Sequence, residues 1–111
     1  MSDQHTLTVL VIPGCPNTTP ALDLAHQARA ARKTTLVIEA VEIHHQGQAA
    51  DLGFTGSPSF HLDGHDLFPT TTPPAIACRL YNTQSGRRGT PDLSDLTQVL
   101  DVAIRQCVFD S

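Results

Sequence analysis

Cys15 is the residue best placed in this chain to do covalent chemistry. It follows the apolar run Leu7-Thr8-Val9-Leu10-Val11-Ile12 and the breaker Pro13-Gly14, and it precedes Thr18 and Thr19, either of which suits a helix cap, with Pro20 tolerated in the first turn. A thiol at a strand-to-helix turn meets free backbone N–H groups and the positive end of the helix. Both favour the thiolate, which is the nucleophilic form. Pro16 stiffens the turn, and Thr18, three residues on, offers a hydroxyl to the sulfur. The alternative is a small apolar side chain packed beneath a turn.

The other thiols and the histidines are less pointed. Three cysteines, an odd number, in a chain whose first residues are polar, speak against a structural disulfide framework. Cys78 opens an apolar stretch and is either a second thiol for Cys15 or a buried strand cysteine. Cys107 falls on the apolar face of the last helical pattern, where core packing explains it. Arg79 alternates with Cys78, so it is expected to face the other side of a strand, with no role. Among the six histidines, His44-His45 are adjacent, and His61 and His65 flank Asp63-Gly64. No spacing matches a closed four-ligand zinc site, so no metal and no cofactor is expected.

The elements that must position these residues follow from periodicity and breakers. Leu7–Ile12 reads as a strand buried on both faces. Leu24, Ala28 and Ala31, with Leu22 and Ala25 alongside, then predict a helix that carries Arg29, Arg32 and Lys33 near its C-terminus. Thr34-Thr35 opens a second strand over Leu36–Ile43, parallel to the first by a right-handed crossover. Gln46–Leu52 suits a short helix stopped by Gly53. A third strand is expected at Ser59–Leu62, then a turn at Asp63-Gly64, an irregular Thr/Pro stretch over Phe68–Pro74, a fourth strand at Cys78–Asn82 antiparallel to the third, and a loop over Gln84–Gly89. The last helix has Thr90 as its cap, Pro91 in its first position, and Leu93, Leu96, Leu100, Ala103, Ile104 and Cys107 on one face.

A length of 111 residues predicts one domain spanning 1–111, with 40% hydrophobic residues as in a folded globule. The net charge of -4 lacks the basic field that nucleic acid binding needs, and Arg32-Lys33 and Arg87-Arg88 are the only dibasic pairs. No run approaches the roughly 20 apolar residues of a membrane span. Neither nucleic acid nor a membrane is an expected partner, and the expected location is the cytoplasm.

This order, β-α-β-α-β-β-α, resembles the thioredoxin-like family. The resemblance rests on the Cys15-Pro16-Asn17-Thr18 turn, the segment Ala50-Asp51-Leu52-Gly53-Phe54-Thr55-Gly56-Ser57-Pro58-Ser59-Phe60, and Asp63-Gly64. It implies an α/β fold with a mixed sheet of about four strands flanked by helices. It also implies a cis-proline at Pro58 facing Cys15, with the Ser57 backbone exposed to pair with a thiol or disulfide substrate, either a protein or a low-molecular-weight thiol. Thr18 stands where the family's second cysteine would be, so no disulfide forms within the turn.

The implied function is thiol-dependent redox or thiol transfer, as of a thiol-disulfide oxidoreductase. Cys15 is the nucleophile, Thr18 supports it, Cys78 is the candidate resolving thiol, and Pro16, Ser57 and Pro58 bind substrate. Two alternatives stand beside it. One is a non-catalytic binding module on the same fold. The other follows from a similarity of the Cys15 turn and Cys78-Arg79-Leu80-Tyr81 to the alkylmercury lyase core, which implies organomercury binding or cleavage, with Thr18 in place of that family's acid.

Overall fold

The run after His5 becomes β1 (His5–Val11), an interior strand of the sheet whose one face is apolar beyond His5 while the other carries Thr6, Thr8 and Leu10. Leu7, Val9 and Val11 face one side of the sheet and Leu10 the other, as strand alternation requires. The computed structural model describes residues 5–30 and 36–110, the last five by their backbone alone. Arg32-Lys33, the Thr34-Thr35 strand opening, Ala31 and the side chain of Cys107 therefore lie outside the described residues.

A four-stranded mixed sheet has the order β2-β1-β3-β4, with β2 (Leu36–Glu42), β3 (Ser59–Leu62) and β4 (His65–Asp66). β1 runs parallel to β2 and antiparallel to β3, and β3 runs antiparallel to β4. The register sets Val9 against Phe60 and Leu7 against Leu62, so these four side chains share one face. That face is covered by α1 (Thr18–Ala30) and α3 (Leu93–Asp110). Ala21, Ala25 and Ala28 are the buried residues of α1, and small side chains there allow a close approach to Leu96, Leu100 and Ile104 of α3. The opposite face holds a smaller core in which Leu10 and Ile43 meet Phe54 and Ala49 of α2 (Gln46–Leu52). No helix among the described residues is long and apolar enough to cross a membrane.

Several expectations are corrected. The fourth strand is His65–Asp66, just after the Asp63-Gly64 turn, and not Cys78–Asn82. The expected strand divides. Cys78 makes only an isolated parallel bridge to Ser57, while β5 (Tyr81–Thr83) pairs with β6 (Gly86–Arg88) in a separate hairpin. Half of the expected Gln84–Gly89 loop is thus strand. Its polar composition reflects a fully exposed β6, while the hairpin's one buried side chain, Tyr81, lies on β5. α3 begins at Leu93, not Pro91: its first turn is closed by the Leu96 N–H on the Asp92 carbonyl, and the Asp92 carboxylate accepts the Gln84 N–H instead of serving the helix. Leu93 is exposed, so the apolar stripe starts at Leu96. His45, given no role from sequence, caps α2 by accepting the Gln48 N–H on Nδ1 at 3.2 Å.

Candidate functional site

Two consecutive turns hold Cys15. The Ile12 carbonyl accepts the Cys15 N–H at 3.2 Å across Pro13-Gly14, and Gly14 has φ 75°, which is the type II geometry that Pro-Gly favours. The Cys15 carbonyl then accepts the Thr18 N–H at 3.2 Å, and the Asn17 carbonyl accepts the first full helical bond from Ala21 at 2.9 Å. Asn17 is therefore the entry to α1. Cys15 lies two residues before it, ahead of the helix as expected, and the entry residue is Asn17 rather than Thr18 or Thr19, both of which lie within α1. Thr18 touches Cys15 through the backbone, and no hydroxyl–sulfur bond joins them among the described residues. Cys15 is half-buried and unbonded, Thr18 is half-buried, and Pro16 is exposed.

Ser57 ties this turn to the rest of the site. Its Oγ accepts the Ile12 N–H at 3.1 Å, so the residue that opens the Cys15 turn is held by a fully buried serine. The Ser57–Pro58 peptide is cis. The expectation of an open Ser57 backbone is overturned. Its N–H donates to the Ala77 carbonyl at 2.8 Å and its carbonyl accepts the Arg79 N–H at 2.9 Å. The chain's own segment 77–79 occupies that edge, with the exposed, unbonded Cys78 at its centre. Pro58 is buried too, and its carbonyl accepts the Tyr81 hydroxyl at 2.5 Å. Burial pushes that hydroxyl's pKa well above its ordinary value, so it stays a donor.

The β5–β6 hairpin closes the other side. Gly89, the residue after β6, lies so near the Asn17 side chain that a Cβ there would overlap it. The hairpin and the Cys15 turn are thus packed together.

Arg79 was expected to have no role, and the structure makes it the centre of a polar cluster. Its guanidinium pairs with Asp66 at 3.1 Å, reaches Thr55 and Ser59 hydroxyls at 3.4 Å each, donates to the Phe68 carbonyl, and lies 4.8 Å from the Tyr81 ring centroid. It wraps the sheet edge beside the edge-to-face rings of Phe60, Phe68 and Tyr81. The available signal was a single charge inside the otherwise uncharged run Pro73–Asn82.

The histidines do not join the thiols. His61 sits opposite Thr8, at the middle of β1, and opposite Asp66 of β4. It is 4% exposed, and its Nε2 has no partner. Burial lowers its pKa, Arg79 and His65 lower it further, and Asp66 opposes them. His61 and His65 are not cross-strand partners, because His65 faces Leu62. No group of three metal-ligating side chains forms among the described residues. Cavities of about 360, 300 and 350 Å³ lie beside Arg79 and α3, over His61, and between β4 and α3; neither cysteine lines them.

The sequence matches no protein-family model and none of the curated proteins.

Proposed function

We propose that the chain is a thioredoxin-like protein that carries out thiol-dependent redox or thiol-transfer chemistry, with Cys15 as nucleophile and Cys78 as resolving thiol. The observation that carries this reading is that one residue, Ser57, binds both thiol-bearing segments. Its side chain holds Ile12 at the head of the Cys15 turn, and its backbone holds residues 77–79 around Cys78. The strand order β2-β1-β3-β4, with one parallel and two antiparallel pairings and helices on both faces, supports the fold assignment.

In the reaction, the Cys15 thiolate attacks one sulfur of a substrate disulfide. A mixed disulfide forms, and the other substrate sulfur leaves as a thiolate that takes a proton from water. The Cys78 thiolate then attacks the Cys15 sulfur, so the second substrate sulfur departs and a Cys15–Cys78 disulfide remains. The substrate gains two electrons and the cysteine pair loses them. The cycle starts from Cys15 and Cys78 both reduced, as a reducing cytoplasm would keep them.

One observation favours a second reading, a non-catalytic binding module: the Ser57 edge is filled by the chain itself. Diamide oxidation followed by peptide mass spectrometry separates the two. The proposed function predicts a Cys15–Cys78 disulfide as the main intramolecular product, lost in Cys15→Ser along with disulfide reduction. Persistence of thiols 15 and 78 under oxidation, with no activity on low-molecular-weight disulfides, would select the binding module.

A further inference from the structure

We infer that Arg88 makes the Cys15 site selective for anionic substrates, meaning disulfides or electrophiles that carry a carboxylate close to the reacting atom. This inference rests on the reading of Cys15 as a nucleophile and names the class of molecule it acts on.

Tyr81 pairs with Arg88 and Asn82 with Arg87, and directly opposed residues of an antiparallel pair share a face. Tyr81 is buried and its hydroxyl is bound to the Pro58 carbonyl, so the Tyr81 face of the hairpin is the one turned toward the cis-proline. Arg88 therefore starts from that face, while Arg87 shares the solvent face with exposed Asn82. The next residue, Gly89, is packed on Asn17, two residues from Cys15. Arg88 thus stands between a contact with Pro58 on one side and a contact with the Cys15 turn on the other.

Charge gives this placement its meaning. Arg88 is exposed, and no carboxylate pairs with it among the described residues. Arg79, by contrast, is committed to Asp66. The chain as a whole carries -4, which repels anions. An unpaired guanidinium on the hairpin that packs against the Cys15 turn opposes that field locally, and its fork suits a carboxylate.

The test uses two reagents that differ in charge and share their chemistry. Iodoacetate and iodoacetamide both alkylate Cys15 by forming a C–S bond and releasing iodide, with the thiol proton passing to water. Rates are read at Cys15 by peptide mass spectrometry near neutral pH, so Cys78 and Cys107 do not interfere. The iodoacetate-to-iodoacetamide rate ratio is expected to fall about threefold in Arg88→Ala, the effect in water of losing one unit charge that approaches the reagent's carboxylate to about 6 Å. The ratio should be largely kept in Arg88→Lys and in Arg87→Ala, and should decline with added salt in the wild type. A ratio unchanged in Arg88→Ala, or lowered equally in Arg87→Ala, overturns the inference while leaving Cys15 a nucleophile. Failure of both reagents to label Cys15 in the folded protein overturns the inference and the reading of Cys15 as a nucleophile together. Thermal melts of each variant confirm that the fold is kept.

Discussion

The Arg79 guanidinium lies 3.1 Å from the Asp66 carboxylate, with both side chains more than four-fifths buried. The pair pins the segment after Cys78 to β4, and the Arg79 N–H pins the same segment to Ser57. Removing the cation strands a desolvated carboxylate against the sheet. Arg79→Met should cost about 3 kcal/mol of stability, at the low end for breaking a buried pair. The double variant Arg79→Met with Asp66→Leu should regain much of that loss, because neither charge then remains to be solvated. Urea unfolding of the four proteins of this cycle measures it, and equal losses in the single and double variants would refute the account.

His61 sets a pH dependence whose sign follows from its surroundings. Burial holds its folded pKa below the ordinary 6.5, with Arg79 and His65 acting in the same direction and Asp66 against it. The unfolded chain therefore takes up a proton first as pH falls. The stability due to neutral His61 is complete above about 6.5 and is lost as pH falls through the folded value, at no more than about 1.4 kcal/mol per pH unit. His61→Leu should be less sensitive between pH 7.5 and 5 than the wild type. Asp63 does not obscure this window. Burial alone would raise its pKa, but the His5 ring at 2.6 Å and the Thr6 N–H outweigh that and hold it below the ordinary carboxylate value. Its own acid loss thus comes at lower pH. An identical pH profile in the two proteins would rule His61 out as the cause.

Gly89 and Asn17 should behave as a coupled pair. A methyl at Gly89 meets the Asn17 amide head-on, so Gly89→Ala must push that side chain or the hairpin aside. The cost expected is about 1–2 kcal/mol, in the range for overpacking. In an Asn17→Ala background the methyl has room and the cost should largely vanish, which a double-mutant cycle of thermal melts reads directly. Additive effects would mean that the hairpin and the Cys15 turn are independent.

The elements with strong local signals were legible in the sequence. Leu7–Ile12, Gln46–Leu52 with its Gly53 stop, and Ser59–Leu62 with its Asp63-Gly64 turn match the structure within a residue or two. Periodicity and breakers act locally, so they mark such segments well. The last helix was legible too, from Leu96, Leu100 and Ile104, but the segment from Cys78 to Arg88 was not, because long-range pairing decides it. Nothing local says that Cys78 bridges Ser57, that Arg79 turns in toward Asp66, or that Arg87-Arg88 pair back onto Asn82 and Tyr81. The site divides in the same way. The turn around Cys15 is written in Pro13-Gly14, whereas the closure of the Ser57 edge depends on a segment some twenty residues away.

Ser57 offers the most direct test of whether the two cysteine segments work together. Its hydroxyl oxygen is the acceptor for the Ile12 N–H, and the Ile12 carbonyl is the acceptor for the Cys15 N–H, so the serine sets the start of the Cys15 turn. Ser57→Ala leaves the Ile12 N–H without its acceptor and should cost about 1–3 kcal/mol. It leaves the backbone bonds to Ala77 and Arg79 in place, so Cys78 keeps its position while the Cys15 turn loosens. Under mild diamide oxidation the fraction of Cys15–Cys78 disulfide should drop severalfold, while alkylation of Cys78 stays near the wild-type rate. Ser57→Thr, which restores a hydroxyl oxygen, should recover part of the disulfide yield if its methyl is accommodated. A yield unchanged in Ser57→Ala would show that the turn holds Cys15 without the serine. Disulfide capture would then depend on the 77–79 segment alone.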